Sequence, residues 1–365
     1  MLEYSCIRSY RRLLLEFGQN STEYGWSGNS ILFLLLTWIK MIVAKLTGAH
    51  YFDYRNKQAA SQWAKYIKDN LQEGTDAIFS LGTTQVACLD TNIPLFIMVD
   101  GIFEQMRTFY DWGKLSNSCL RDSNEVEQMA LNRCTRIIAC ADETANYIKT
   151  YYKVSPSKVA VVPLGANLDS VPTPDEVEKL IEQRDINECH LLFVGVDWKR
   201  KGADIVLEVT KILHERGMKV VLHFCGLKKI PVDLPSFVIN HGFLRKSVAE
   251  EFDLLLSLYK ISHFLFVPSV AEAYGLVFCE ASAYGLPSVT HRLGGMATIV
   301  KDGENGQLFK LGTKPEIFAD YIETTFADKE VYKAFARNSR KRYDEALNWA
   351  VAGHSYMSII RETTK

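Results

Sequence analysis

The residues best suited to chemistry are two glutamates, Glu272 and Glu280, which stand eight positions apart. The sequence between them reads as a loop that turns into a helix, and a glycine in that loop lets the backbone approach a ligand closely. Amides at the start of a helix, helped by the helix dipole, bind anions such as phosphate. The amides concerned belong to Tyr274, Gly275, Leu276 and Val277. Glu280, in the second turn of this predicted helix, suits sugar hydroxyls such as a ribose diol.

Two adjacent cations, Arg200 and Lys201, follow the apolar run HLLFVGV, which is predicted to be a strand. Two positive charges at the end of a strand suit a diphosphate and could stabilise it as a leaving group. A flexible turn at Gly294 and Gly295 is expected to face the same ligand. Solvated surface charges would explain the cations or the glutamates alone, so the prediction rests on their combination.

The elements that must position these residues alternate between short apolar runs and helical segments, which predicts parallel sheets in an α/β fold. Helical periodicity marks ADIVLEVTKILHERG and SVAEEFDLLLSLYK. The strand-like runs are RRLLLEF, DAIFSL, PLFIMVD, RIIACA and KVAVVPLG, then HLLFVGV, KVVLHFCG, SFVINHG, SHFLFVPS and PSVTHR. We predict two doubly wound lobes, residues 1–168 and 169–345, joined by a charged linker near 168–187, with ligands at the strand ends in an interlobe cleft.

Composition and motifs exclude several functional classes. The chain has 365 residues, 47% of them apolar, and a formal net charge of -1, so no overall field attracts nucleic acid. Eight cysteines form no C-x-x-C pair, which favours a reducing cytoplasm. The sequence lacks D-x-D, a histidine metal pattern, G-x-G-x-x-G after a strand and a P-loop. We therefore expect no metal and no dinucleotide cofactor.

One apolar run, residues 31–46, has membrane-like composition. It is interrupted by Lys40 and Lys45 and is shorter than a helix that spans a bilayer. We expect no cleavable signal sequence in the residues before it, because no long apolar segment follows their arginine pair. We expect a helix packed on a sheet, and a helix lying on a membrane surface is the alternative.

The second half of the chain resembles the donor-binding region of glycosyltransferase family 4, which has an E-x7-E signature followed by A-x-A-x-G-x-P. The residues that carry this resemblance are Glu272, Glu280, Ala281, Ala283, Gly285 and Pro287. The resemblance covers about residues 160–350, ending beyond Trp349. It implies a GT-B fold of two Rossmann-like lobes, with a C-terminal helix, about residues 346–365, packed back on the first lobe. It also implies metal-independent sugar transfer with retained configuration.

The resemblance implies roles for individual residues. Arg200 and Lys201 would hold the diphosphate, although the family usually places its arginine where this chain has Val196. Glu272 would bind the donor sugar, and the backbone near Phe243 and Leu244 would flank the base.

The first lobe is expected to contribute to the same site. The resemblance implies a glycine-bearing loop beside the donor, and Gly28 in YGWSGN is the candidate. Asp100 follows the strand PLFIMV, where family members often have a histidine, so Asp100 could bind a sugar hydroxyl or orient the acceptor. A plain turn explains either feature equally well.

We therefore predict a retaining glycosyltransferase that moves a sugar from a UDP- or GDP-type donor to a hydroxyl of a glycan, a lipid-linked acceptor or a small molecule. A nucleotide-sugar epimerase of GT-B-like fold and a non-catalytic nucleotide-sugar-binding subunit are the alternatives. The expected location is the cytoplasm, with peripheral contact to the inner face of a membrane through the N-terminal lobe.

Overall fold

The computed structural model describes residues 31–364 of the chain. The described residues divide into two compact units, here called the N-terminal unit (31–162 and 353–364) and the C-terminal unit (Pro163–Ala352). The chain passes between the units at 162/163 and again at 352/353. The sequence interpretation placed these boundaries at 168/169 and 345/346. The strand expected in RRLLLEF and the loop that contains Gly28 lie outside the described residues.

The N-terminal unit contains a parallel sheet of four strands in the order β1-β2-β3-β4. The strands are β1 (Ile78–Ser80), β2 (Leu95–Val99), β3 (Arg136–Ala139) and β4 (Val159–Val161). The helices are α1 (Ile31–Leu46), α2 (Lys57–Asn70), α3 (Phe103–Phe109), α4 (Asn117–Arg133) and α5 (Asp142–Thr150), with a 3-10 turn at Pro156–Lys158. Ile97 and Ile137, paired across β2 and β3, lie in a core that includes Val126 of α4 and Ile148 of α5.

The C-terminal unit contains a six-stranded parallel sheet in the order β10-β9-β8-β5-β6-β7. Its strands are β5 (Cys189–Val194), β6 (Val220–Cys225), β7 (Val238–Asn240), β8 (Phe264–Phe266), β9 (Ser288–His291) and β10 (Gly306–Phe309). Its helices are α6 (Pro174–Gln183), α7 (Ala203–Glu215), α8 (Ala249–Ile261), α9 (Leu276–Ala283), α10 (Met296–Ile299), α11 (Pro315–Ala327) and α12 (Lys329–Ala346). Helix α13 (Trp349–Thr364) continues from this unit into the N-terminal unit.

The strand order of the C-terminal unit reverses between β5 and β8, which pair side by side through Leu191 and Phe264. In doubly wound sheets, ligands bind where the order reverses, beside the carboxyl ends of the two strands. The prediction of two parallel α/β units is confirmed. The topology also indicates where a ligand should bind, namely at the loops that follow β5 and β8.

The charged segment predicted as a linker forms helix α6. Thr173 starts it with a reciprocal capping box to Glu176, and Pro174 occupies the first turn. Val177 and Ile181 are buried on one face of the helix. The segment therefore belongs to the body of the C-terminal unit.

Helix α1 confirms the predicted helix but not its predicted packing. Between residues 38 and 46, only Ala44 is buried, and it belongs to a small cluster with Tyr51 and Cys119, neither of which lies in a strand. The side chain of Lys40 donates a 2.6 Å hydrogen bond to Asp122 of α4. The exposed apolar side chains within residues 38–46 are Trp38, Ile39, Met41, Ile42, Val43 and Leu46. Apolar residues occur around almost the whole circumference of this helix, so one contact face leaves several of them uncovered.

A row of histidines crosses β5, β6 and the end of β7. His190 and His223 are joined by a 2.9 Å hydrogen bond, and His223 and His241 by one of 3.0 Å. Burial lowers the pKa of His223 to about 3, so this imidazole is neutral at physiological pH. No three metal-ligating side chains among residues 31–364 are arranged to hold an ion. The histidine row is thus part of the packed core of the sheet.

Candidate active site

The loops after β5 and β8 bring the predicted cations to the first glutamate. The ammonium of Lys201 contacts Oε2 of Glu272, and Nη1 of Arg200 lies 3.9 Å from the same oxygen. Arg200 also donates a 3.1 Å hydrogen bond to the carbonyl of Ala271. The side chains of Lys201 and Glu272 are only 12% and 10% exposed. Two positive charges and one carboxylate therefore meet at the switch point of the sheet.

Local backbone geometry holds these two loops together. Gly202 has φ 73°, and a Cβ at this position would lie 2.3 Å from the carbonyl oxygen of Pro268. The amide of Val270 donates a 2.8 Å hydrogen bond to the carbonyl of Arg200. Asp197 accepts a 2.8 Å hydrogen bond from the amide of Arg200, which fixes the turn before the cations. A glycine is required at 202 because any side chain would push the β5 loop away from the β8 loop.

The predicted double-glycine turn lies directly on the loop that carries Glu272. Gly294 has φ 54°, and a Cβ there would lie 1.9 Å from the carbonyl oxygen of Glu272. The amide of Gly295 donates a 2.8 Å hydrogen bond to the carbonyl of Ala273. The turn after β9 thus supports the loop after β8 through backbone contact alone.

Helix α9 begins where the sequence indicates. Gly275 is its N-cap with φ 93°, and the helix starts at Leu276, followed by Val277. The first amides of a helix have no acceptor within the helix. The hydroxyl of Tyr274 donates a 3.1 Å hydrogen bond to the carbonyl of Leu164, so this side chain serves to anchor the loop.

Glu280 lies in the second turn of α9 and is 5% exposed. Its Oε1 contacts the ammonium of Lys246, and its Oε2 accepts a 3.1 Å hydrogen bond from the hydroxyl of Tyr259. Burial raises the pKa of Tyr259 well above its ordinary value, and the charge of Glu280 raises it further, so the phenol stays protonated as a donor. Both oxygens of the second glutamate are thereby oriented.

Lys246 contacts the second glutamate, and the sequence interpretation did not include it. It lies in the turn between β7 and α8, on the same turn as Phe243 and Leu244, which are both half-buried. The ammonium of Lys228 lies 5.2 Å from the centre of the Phe243 ring. The only sequence signal for Lys246 was the HGFLRKS turn, in which nothing distinguishes it from its neighbour Arg245. The structure separates them, because Arg245 pairs instead with Glu251 on the surface.

The sequence also predicted two site residues in the first half of the chain, Asp100 and Gly28. Asp100 follows β2 in the N-terminal unit and is exposed, with its carbonyl accepting a 3.3 Å hydrogen bond from Thr144. Gly28 falls outside the described residues. Val196, at the position of the family's usual arginine, is 43% exposed, and it is Arg200 that reaches Glu272.

Two family models match the chain over most of its length. Residues 176–342 match the model of glycosyl transferases group 1, and residues 36–170 match the model of glycosyltransferase family 4. The first match contains the cation pair and both glutamates.

Curated relatives are similar over part of their length. The D-inositol 3-phosphate glycosyltransferase of Nocardiopsis dassonvillei is 23% identical over 281 residues, which cover 71% of this chain and 65% of the relative. The enzyme of the same name from Geodermatophilus obscurus is 29% identical over 237 residues, which cover 61% and 51%. The alignments with these two relatives thus span between about half and two thirds of their length.

Solved structures share the fold at low identity. Sucrose-phosphate synthase from Thermosynechococcus elongatus superposes with a TM-score of 0.62 and 19% identity, covering 83% of this chain and 78% of that chain. HepE from Anabaena, solved with UDP, gives a TM-score of 0.63 and 16% identity, covering 83% and 82%. The two parallel α/β units and the charged site at the switch point agree with both family matches. This chain therefore belongs to the group 1 glycosyltransferases of GT-B fold.

Proposed function

We propose that this protein transfers a glycosyl group from a nucleoside diphosphate sugar to an acceptor hydroxyl, with retention of anomeric configuration. The observation that carries the proposal is the meeting of Arg200 and Lys201 with Glu272 at the point where the strand order reverses. A ligand with both a diphosphate and a sugar matches this combination of two cations and a carboxylate.

The donor diphosphate is assigned to the cations and to helix α9. Arg200 and Lys201 take up charge as the bond between the anomeric carbon and the diphosphate oxygen breaks. The amides of Gly275, Leu276 and Val277 add the positive end of the helix dipole. This role requires Lys201 to exchange its contact with Glu272 for one with phosphate, after which Glu272 is available to the donor sugar.

The nucleoside is assigned to the β7–α8 turn and to Glu280. The backbone near Phe243 and Leu244 flanks the base, and Glu280 accepts hydrogen bonds from the ribose hydroxyls. The turn at Gly294 and Gly295 supports the loop that carries Glu272. The donor class is UDP- or GDP-type, and the neighbour HepE was solved with UDP and glucose.

The chemical step requires neither a protein nucleophile nor a metal. The acceptor oxygen forms a bond to the anomeric carbon on the face that the diphosphate leaves, and the acceptor proton passes to a diphosphate oxygen. In the N-terminal unit, we assign Asp100 to bind a sugar hydroxyl or to orient the acceptor. The acceptor is a glycan, a lipid-linked molecule or a small molecule, and the curated relatives are named for D-inositol 3-phosphate.

We also propose that α1 rests on an anionic membrane surface. Trp38 and Leu46 are 63% and 81% exposed, and Lys45 is exposed between them. Exposed tryptophan and leucine together with lysine are typical of helices that lie in the lipid headgroup region. No helix within residues 31–364 has both the length and the hydropathy to cross a bilayer.

We also propose a cytoplasmic location. This proposal is supported by free cysteines, among them Cys134, Cys225 and Cys279.

The test is a panel of UDP- and GDP-sugars added to the full chain in the presence of EDTA. A cognate donor should raise the melting temperature by mass action, since ligand at 100 times its Kd adds about 2.7 kcal/mol to the free energy of unfolding. With a sugar or inositol phosphate acceptor present, NMR should detect a product that keeps the anomeric configuration of the donor.

Other outcomes would replace the proposal. Epimerised donor in the absence of acceptor would indicate an isomerase. Stabilisation by a donor without turnover of any acceptor tried would favour a binding subunit. Lack of stabilisation by every nucleotide sugar would contradict the donor assignment.

A further inference from the structure

The N-terminal unit contains a cavity of about 400 Å³ between the end of α3 and the start of α4. Pockets for small molecules have volumes of about 300–1,000 Å³, so this cavity is of suitable size. Its lining includes Arg107, Tyr110, Asp111, Trp112 and Gly113. No residue of the donor site described above contributes to this lining.

The wall of the cavity is held in place at both ends. The amide of Tyr110 donates a 2.9 Å hydrogen bond to Met106 of α3. Beyond the cavity loop, the backbone of His50 pairs on both sides, donating to Lys114 at 2.8 Å and accepting from Ser116 at 3.0 Å. A loop fixed in this way loses little conformational entropy when it binds a ligand.

Aromatic rings form a stack that runs from the core into the cavity wall. The ring of Trp112 stacks on the fully buried Phe103 at 5.8 Å and on Tyr110 at 6.4 Å, with interplanar angles of 26° and 10°. Phe52 supports Trp112 from the edge at 5.2 Å. Rigid aromatic rings with polar neighbours suit a flat ligand with one apolar face, as the C–H face of a pyranose ring is.

The polar groups of the cavity favour a neutral ligand. Arg107 is already paired with Glu104, and this hydrogen bonding holds the pKa of Glu104 below its ordinary value, so the two charges balance. Asp111 is exposed, accepts a 2.9 Å hydrogen bond from Gly113, and keeps its remaining carboxylate lone pairs for hydroxyl donors. A carboxylate in the lining repels a phosphate group, and both charged groups disfavour a lipid tail.

We propose that this cavity binds a neutral sugar ring of the acceptor, which makes a glycan the acceptor class. This inference rests on the proposed transfer function for its biological role, but sugar binding at the cavity can be measured without a donor. The stacked rings of Tyr110 and Trp112 supply the apolar surface, and Asp111 accepts hydrogen bonds from the sugar hydroxyls.

The experiment is saturation-transfer NMR on the full chain with maltotriose, N,N′,N″-triacetylchitotriose and D-inositol 3-phosphate as separate probes. At least one neutral trisaccharide should receive saturation, and Trp112→Ala should weaken its binding at least about tenfold. Asp111→Asn, which removes a charge from an exposed side chain, should weaken it severalfold. Trp63→Ala, at a half-buried tryptophan of α2 away from the cavity, is the matched control and should leave Kd unchanged.

Stabilisation by nucleotide sugars, measured on the same variants, separates this inference from the proposed function. Binding of a trisaccharide that is insensitive to Trp112→Ala and Asp111→Asn would overturn the cavity assignment, as would absence of binding by both trisaccharides. Binding of D-inositol 3-phosphate alone, strengthened by Asp111→Asn, would show that the cavity takes a phosphorylated polyol instead. If nucleotide sugars still raise the melting temperature of the variants in any of these cases, the donor-site assignment is unaffected.

Discussion

At the residue scale, the two glutamates of the site differ in how they are held. Glu272 contacts the cations that we assign to the diphosphate, so its contact must change when a donor binds. Glu280 is held by Lys246 and Tyr259, neither of which is assigned to the donor. Glu280 can thus keep these partners and still use its remaining lone pairs for hydroxyls. Lys246 is in this view a positioning residue.

The variant Lys246→Met tests this role. Removing the ammonium leaves Glu280 buried with one contact fewer, so the carboxylate should be less well oriented toward the ribose. We expect KM for the donor to rise about tenfold, an energy of about 1.4 kcal/mol, with little change in kcat. Steady-state kinetics with the donor as the varied substrate measure both constants.

Lys246→Arg and Arg245→Met complete the comparison. The arginine keeps a positive donor at position 246 and should restore most of the affinity, whereas Arg245 pairs with Glu251 on the surface and its loss should have no effect on KM. An equal fall in kcat and kcat/KM with unchanged KM would show that Lys246 acts on the transition state and not on ribose binding.

Residue types and spacing predicted one of the two groups of contacts and not the other. Arg200, Lys201 and Glu272 could be recognised because loops at neighbouring strand ends of a parallel sheet meet. Lys246 could not, because α8 and β8 separate it in sequence from Glu280 and only the folded backbone selects it over Arg245. The role of Asp100 stays a prediction from its place at the end of β2.

At the element scale, the strand pattern predicted both sheets, with one omission. Strand β10 was missed because GQLF is short, begins with glycine and has alternate residues only partly buried. Glycine at position 306 allows β10 to pack closely against β9, because a Cβ there would lie 2.2 Å from the carbonyl oxygen of Ser288. Helix α6 was misread as a linker because its charged face dominates its composition, although Val177 and Ile181 have helical spacing.

Helix α1 carries the prediction that belongs to this scale. The wild-type chain should float with vesicles of phosphatidylcholine and phosphatidylglycerol at a 7:3 ratio, and less with phosphatidylcholine alone. Trp38→Ser with Leu46→Ser should reduce the partition coefficient at least about tenfold, because full burial of one such side chain is worth about 1.5–3 kcal/mol. Leu311→Ser, at a leucine that is 60% exposed in the C-terminal unit, is the control. Equal flotation of the double variant and the wild type would contradict the role of α1.

At the scale of the whole molecule, we assign different parts of the proposed chemistry to the two units. The C-terminal unit holds the cation pair, both glutamates and the glycine turns, and it contains the match to the group 1 model. The N-terminal unit holds Asp100, the aromatic cavity and α1, which we assign to the acceptor and the membrane. The first assignment could be made from family resemblance, because phosphate and ribose impose fixed chemistry on any site that binds them. Acceptors differ in chemistry, so the second assignment depended on the structure.

The measurement that tests the central claim most directly is glycosyl transfer by full-length Lys201→Ala, beside Lys199→Ala as the matched control. Lys199 is two positions away, is 81% exposed and pairs with Asp204 outside the cluster. If the cation at position 201 stabilises the departing diphosphate, Lys201→Ala should reduce kcat/KM by about 100-fold or more, near 2.7 kcal/mol, while Lys199→Ala keeps wild-type turnover. Turnover of a correctly folded Lys201→Ala variant within a few-fold of wild type would contradict the assignment of this site.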